Sequence, residues 1–159
     1  GVPAPVIRHA LRTFAGVEHR IEFVRELEGV RYINDSKGTN VDSTIKAVQS
    51  MRLPTAIILG GYDKHVSFTA LAEEIQRTPL IRACVLIGAT ADQIEAALRQ
   101  AGYAAVFRAD TLEQAVKDCR RLMAEGGNVL FSPACASFDM FEDYEQRGRI
   151  FKQIVSDLQ

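Results

Sequence analysis

Thr55-Ala-Ile-Ile-Leu-Gly-Gly61 decides the fold. Five uncharged residues, three of them β-branched, run straight into paired glycines. A strand wet on one side alternates polar and apolar residues; a short run without alternation is buried on both faces, the mark of a parallel sheet covered by helices. Ile81–Ile87, closed by Gly88, reads as a second buried strand, apolar but for Arg82. Between these runs the apolar spacing turns helical. Val41, Ile45 and Val48 share one face behind Asn40, a capping residue, and Phe68, Leu71, Ala72 and Ile75 share another.

Working outward, Thr90-Ala-Asp-Gln93 and Thr111-Leu-Glu-Gln114 have the form of capping boxes and predict helices to Gln100 and to about Ala124. Ala104–Arg108 and Asn128–Phe131 read as further strands. Ile21–Leu27 and Val30–Asn34 flank Glu28-Gly29 as a hairpin. Phe138–Leu158 reads as largely helical with a break near Gly148. Strands joined by crossover helices predict a Rossmann-like three-layer α/β domain, its sheet mostly parallel with an antiparallel hairpin at the start. Ligands of such sheets bind beyond the carboxyl ends of the strands.

The 159 residues are one domain on length, with 47% hydrophobic and 25% charged residues, which excludes a disordered or collagen-like chain. Nineteen basic against 20 acidic residues give a net charge of −1, so neither nucleic acid nor an anionic membrane is an expected partner. Three cysteines, Cys84, Cys119 and Cys135, stand far apart with no metal-ligand spacing, which fits a reducing, cytoplasmic compartment. Gly1–Ile7 carries neither the charged start nor the apolar stretch of a secretory signal.

Function is then a reading of the loops that follow the strands. Asp35-Ser-Lys-Gly-Thr-Asn40, Gly60-Gly-Tyr-Asp-Lys-His65 and Ser132-Pro-Ala-Cys-Ala-Ser137 carry lysines, hydroxyls and small residues suited to a small anion; Gly88-Ala-Thr90 and Ala109-Asp-Thr111 complete the edge. No GxxxxGK[ST] phosphate loop and no GxGxxG fingerprint occurs. Lys37 beside the helix start suits a phosphate or carboxylate, or is a solvated lysine paired with Asp35. Lys64 is an anion ligand or an exposed surface charge, with Tyr62, Asp63 and His65 as loop decoration. Ser137 binds a carboxylate, caps the next helix, or both. Cys135 has no histidine partner and reads as a buried small residue. His9, His19 and His65 show no ligand spacing, and Glu142, Asp143 and Glu145 read as a solvated helix face.

Four strings in order carry a resemblance: His19-Arg20-Ile-Glu-Phe-Val24; Asn34-Asp-Ser-Lys-Gly-Thr-Asn-Val41 with Ser43-Thr44; Leu59-Gly-Gly-Tyr-Asp-Lys64; and Leu130-Phe-Ser-Pro-Ala-Cys-Ala-Ser-Phe-Asp139 with Tyr144-Glu-Gln-Arg-Gly148. From about Gly16 onward the chain closely resembles the C-terminal, amino-acid-binding domain of the Mur ligase family, and within it the members that add D-glutamate. Residues 1–16 resemble the end of that family's central ATPase domain, residues 17–159 its C-terminal domain, with a hinge near 16–20.

The resemblance implies ATP-dependent amide-bond formation in peptidoglycan synthesis. The carboxylate of UDP-N-acetylmuramoyl-L-alanine becomes an acyl phosphate, and the amino group of D-glutamate attacks it. Carried over residue by residue, Lys64 would pair with a D-glutamate carboxylate and Thr39 hydrogen-bond to it. Ser137 would hold the other carboxylate with backbone near Phe138 and Tyr144. Arg20 and Asp35 would face the nucleotide, and Lys37 the phosphates or the acyl phosphate, as the catalytic group. ATP and Mg²⁺ would be held mainly by a central domain, so the domain alone should be inactive. Gly38 stands where the family motif has alanine, Phe138 for a leucine and Tyr144 for a phenylalanine, which adds loop freedom and enlarges the rim. The competing readings are a sister Mur ligase, a folylpolyglutamate synthase, or a stand-alone α/β domain that binds a small anion.

Overall fold

The computed structural model of the protein describes residues 3–6 and 16–159. The segment expected to belong to a preceding domain, 1–16, lies mostly outside these described residues. Six strands, β1 (Glu22–Leu27), β2 (Val30–Asn34), β3 (Thr55–Leu59), β4 (Ile81–Leu86), β5 (Val106–Arg108) and β6 (Gly127–Phe131), form one sheet in the order β1-β2-β6-β3-β4-β5. Only β1 and β2 pair antiparallel; the other pairings are parallel. From Val41 onward five helices connect or cover the strands: α1 (Val41–Ser50), α2 (Thr69–Arg77), α3 (Ala91–Gln100), α4 (Leu112–Leu122) and α5 (Tyr144–Asp157).

Strand alternation sorts the side chains into two cores. Ile57, Leu59, Cys84, Leu86 and Leu130 pack under α1, α2 and α3 through Val48, Leu71, Ile75, Ile94 and Leu98. Ala56, Ile58, Val85, Val129 and Phe131 face the other way, against Val116 and Cys119 of α4 and Phe151 and Val155 of α5. Phe131 and Phe151 stack with centroids 5.0 Å apart. Full burial of each large side chain contributes about 1.5–3 kcal/mol. Because β3 and β6 are covered on both faces, their apolar runs needed no alternation.

The expected three-layer α/β architecture with its leading hairpin is the observed one. Asn40 caps α1 by accepting from the Ser43 amide at 2.9 Å, and Thr111 caps α4 through the Gln114 amide at 3.1 Å. Three local expectations are corrected. Strand β5 begins at Val106, not at residue 104. Helix α5 begins at Tyr144, capped by Asp143 through the Gln146 amide at 2.7 Å, and runs unbroken through Gly148. That glycine is a contact point: a Cβ there would collide with the buried His19 ring. Thr90 makes no side-chain cap for α3, because its hydroxyl is used elsewhere. Among the described residues no helix is long and apolar enough to cross a membrane.

Candidate functional site

Chain order and spatial order diverge at the strand ends. β6 sits between β2 and β3, so the loops after all three open on one edge. The Gly60 amide donates to the Pro133 carbonyl at 2.9 Å, and the Tyr62 amide to the Ala136 carbonyl at 2.9 Å, which zips the β3 loop to the β6 loop. The Asp35 amide donates to the Phe131 carbonyl at 2.7 Å, which continues the β2–β6 pairing into the first loop. Gly60 and Gly61 take φ of 113° and 155°, and a Cβ on them would strike the Ile87 and Ala136 carbonyl oxygens. Glycine is needed here for both conformation and close approach.

A hollow of about 230 Å³ lies at this junction, lined by Thr39, Asn40, Asp42, Tyr62, Lys64, Val66, Ser67 and Cys135 among others. It takes in the amino end of α1, where unpaired amides and the helix dipole favour negative charge. Thr39 and Lys64, far apart in sequence, thus share one wall set. Lys64 is exposed, on a turn organised by Asp63: one Asp63 oxygen accepts from the His65 amide at 2.6 Å and the other from Gln93 Nε2 at 2.6 Å. Those bonds to His65 and Gln93 hold the Asp63 carboxyl below its ordinary range. Asp63 is therefore a builder of the Lys64 turn rather than decoration.

The other singled-out residues occupy the surroundings. Lys37 does not line the hollow; its Nζ stands 5.8 Å from the Tyr144 ring centroid, a cation–π distance. Ser137 is 2% exposed and borders the β6 loop, where its carbonyl accepts from the Met140 and Phe141 amides at 3.1 and 2.9 Å. The helix cap is Asp143, not Ser137. Phe138 is 65% exposed and meets Tyr62 edge-to-face at 6.0 Å, forming an aromatic rim. Arg20 is exposed near Asp35.

Asp35 is buried, with Oδ2 accepting from Ser132 Oγ at 2.7 Å and Oδ1 from the Ile21 amide at 3.1 Å. Burial pushes its carboxyl above the usual carboxylate range, and those two bonds and Arg20 pull the other way. Gly38 packs against this pair, since a Cβ would sit 2.6 Å from Asp35 Oδ2 and 2.8 Å from Ser132 Oγ. Gly38 thus leaves room for the Asp35–Ser132 hydrogen bond.

Residues 19–22 brace the same loop from outside. The His19 carbonyl accepts from the Lys37 amide at 2.9 Å, and buried His19 Nδ1 pairs with Asn34 Nδ2 at 2.9 Å. Glu22 accepts from the His19 amide at 2.9 Å, Asn34 Nδ2 at 3.0 Å and Lys152 Nζ at 3.1 Å. His19 and Ile21 hold φ of 63° and 45°, unusual for residues with a Cβ and costly for a β-branched one.

Two buried residues behind these loops escaped the sequence reading. The Thr90 hydroxyl accepts from the Gly61 amide at 3.1 Å and meets Cys135 Sγ at 3.3 Å, although Thr90 looked like a helix cap. Arg147, which the sequence reading gave no role of its own, is buried; it stands four residues before Phe151 and eight before Val155, on the buried stripe of α5. A larger hollow of about 780 Å³ opens at the opposite, amino ends of the strands, between α4 and the chain's last residues. Its cations are already paired, Arg120 with Glu28, Lys117 with Glu113 and Arg121 with Asp118. Among the described residues no group of three His, Cys, Asp or Glu side chains is placed to hold a metal ion.

Comparison with known proteins bears on the family and the fold. A family model described as "Mur ligase, glutamate ligase domain" matches residues 19–135. UDP-N-acetylmuramoylalanine–D-glutamate ligases from Thermoanaerobacter sp. (strain X514) and Clostridioides difficile (strain 630) are 48% and 47% identical over 99% and 96% of the chain. The chain spans about a third of their length, 35% and 34%. Among solved structures, UDP-N-acetylmuramate-alanine ligase MurC from Thermotoga maritima superposes with TM-score 0.61 at 18% identity, covering 96% of this chain and 33% of that one. The MurF ligase from the same organism, in complex with ADP, gives 0.56 at 16% over 93% and 34%. At such identities these two structures speak to the fold.

Proposed function

From the premise that the chain belongs to the Mur ligase family, as a glutamate ligase domain, we propose that it is the amino-acid-binding domain of an ATP-dependent ligase that joins D-glutamate to UDP-N-acetylmuramoyl-L-alanine in peptidoglycan synthesis. The observation that carries this reading is the make-up of the hollow at the strand ends. One cation, Lys64, one carboxylate, Asp42, and the hydroxyls of Thr39, Ser67 and Tyr62 line it. A free amino acid presents both signs of charge, and a wall with both signs suits it better than an all-cationic phosphate cradle would. The 47–48% identity to enzymes named as D-glutamate ligases supports D-glutamate as the amino acid.

In this reading Lys64 and Thr39 bind one carboxylate, and Ser137 with the backbone of Phe138 and Tyr144 binds the other. The amino group is then presented to an acyl phosphate formed at the substrate's carboxyl carbon. Nitrogen attacks that carbon, phosphate leaves, and the nitrogen gives up a proton. Lys37, steadied on Tyr144, would neutralise charge on the phosphate oxygens as it leaves, and Arg20 and Asp35 would stand on the nucleotide side. Holding the amine near the acyl carbon is the main contribution such a domain makes, since positioning removes much of the entropic barrier. ATP and Mg²⁺ belong to the part of the ligase that carries a phosphate loop, and the cytoplasm, where ATP is supplied, is the proposed location.

Titration of the domain with D-glutamate, L-glutamate and ATP, followed by amide NMR, tests the reading. D-glutamate is expected to shift Lys64, Thr39 and Ser137 at lower concentration than its enantiomer. Equal responses to the two, together with absent glutamate addition by the full-length enzyme, would refute it.

A further inference from the structure

The Gln-Arg-Gly stretch at the start of α5 has so far no part in ligand binding, yet it holds the most deeply buried charge in the described structure. Arg147 is 1% exposed. Its guanidinium donates from Nε to Ser36 Oγ at 3.0 Å, from Nη2 to the Ser36 carbonyl at 2.8 Å, and from Nη1 to the Cys135 carbonyl at 3.0 Å. The Phe131 ring centroid lies 5.7 Å from the guanidinium carbon. All three acceptors are neutral. Burial draws its pKa down to about 10, which leaves it charged at neutral pH.

An ion sealed from water with no carboxylate bonded to it is expensive, and the carbonyl and hydroxyl dipoles and the charge of Asp139 offset only part of that cost. What the charge stands behind explains its retention. Ser36 belongs to the loop that carries Lys37 and Thr39, and Cys135 lines the hollow itself. Gly61, at the root of the Lys64 turn, is so close that a Cβ would lie 3.4 Å from Nη1. The guanidinium is therefore one residue layer behind all three loops, in a low-dielectric region where its potential is little screened.

We propose that Arg147 is an affinity-determining positioning residue of the amino-acid site: it fixes the loops after β2 and β6 by their backbone and lends the hollow a positive potential that a bound dicarboxylate completes, without touching the substrate. This rests on the amino-acid-binding reading above.

The test uses the full-length ligase, with KM for D-glutamate, KM for ATP, kcat and the thermal midpoint measured for wild type, R147Q and R147K. R147Q should raise KM for D-glutamate about tenfold or more while KM for ATP and kcat move less than about threefold. R147K, which keeps the charge but not the three-way fork, should recover most of the D-glutamate affinity. A D-glutamate KM unchanged in R147Q, or equal rises in both KM values, overturns the proposal. So does an R147K that loses as much as R147Q. Should R147Q not fold, R147K decides alone: a D-glutamate KM within about threefold of wild type supports the proposal, and a tenfold rise overturns it. Wild-type addition of D-glutamate reports separately on the underlying reading, because it fails only if that reading fails.

Discussion

Thr90 and Gly61 clasp one another by two hydrogen bonds: the Gly61 amide donates to Thr90 Oγ1 at 3.1 Å, and the Thr90 amide donates to the Gly61 carbonyl at 3.2 Å. Both residues are buried, and the clasp joins the β4 loop to the root of the turn that bears Lys64. T90V keeps the shape and orphans the Gly61 amide, which costs about 1–3 kcal/mol for an unpaired buried donor. We expect a lower thermal midpoint and a raised KM for D-glutamate, with both restored in T90S. A T90V enzyme with wild-type melting and kinetics would show that the clasp positions nothing.

Lys64 and Lys37 should separate kinetically. A hydrogen bond to a charged group contributes about 1.5–3 kcal/mol, so K64M should raise KM for D-glutamate roughly ten- to a hundredfold. Lys37, lodged on the Tyr144 ring away from the hollow, should affect turnover instead. K37M is expected to lower kcat by about a hundredfold or more, the usual effect of removing a group that stabilises developing charge. Steady-state kinetics on both variants checks the split, and a K37M enzyme deficient only in D-glutamate KM would reverse the assignment.

Gly60 allows no side chain. Its φ is 113°, and a Cβ would strike the Ile87 carbonyl. G60A should destabilise the domain by about 2 kcal/mol or more, since strain and overlap act together. Chemical denaturation measures this, and a variant within about 0.5 kcal/mol of wild type would mean the turn can be rebuilt.

The brace around residues 19–22 makes stability pH-dependent. Burial works to raise the Glu22 carboxyl, but the His19 amide, Lys152 and Asn34 outweigh it and hold its pKa below the ordinary 4.5. A carboxyl lowered on folding contributes stability that is fully present above its unfolded pKa and is lost as pH falls through the folded one. E22Q should therefore be less stable than wild type at neutral pH, and the gap should close as pH drops below about 4.5. Thermal melts across that range follow it. A gap that stays constant would remove the Glu22 charge from the account.

Much of this was legible from periodicity. The apolar runs at Thr55–Leu59 and Ala83–Leu86 announced a doubly covered sheet, and Asn40 and Thr111 announced their helices, because those signals are local. What stayed hidden depends on which loops meet. Thr90 has the local form of a cap, and only the neighbouring Gly61 amide diverts its hydroxyl. Gly148 resembles a helix breaker until the His19 ring is seen against it. Lys37 and Lys64 looked like members of one cationic wall, yet Lys37 turns to Tyr144, an aromatic partner more than a hundred residues away in sequence.

The insertion of β6 between β2 and β3 sets a timetable for biogenesis. As the ribosome releases the chain, the β1–β2 hairpin and the β3–β4–β5 group emerge as two pieces that share no strand pairing, and the strand that joins them is the last one made. Long-range pairing of that kind is slow, and it leaves two strand edges exposed to wrong partners in the interval. The loops that build the hollow hang from the two halves and from the joining strand, so ligand competence and completion of the sheet arrive together. A nascent chain stalled before Gly127 would hold every strand of the sheet except the keystone.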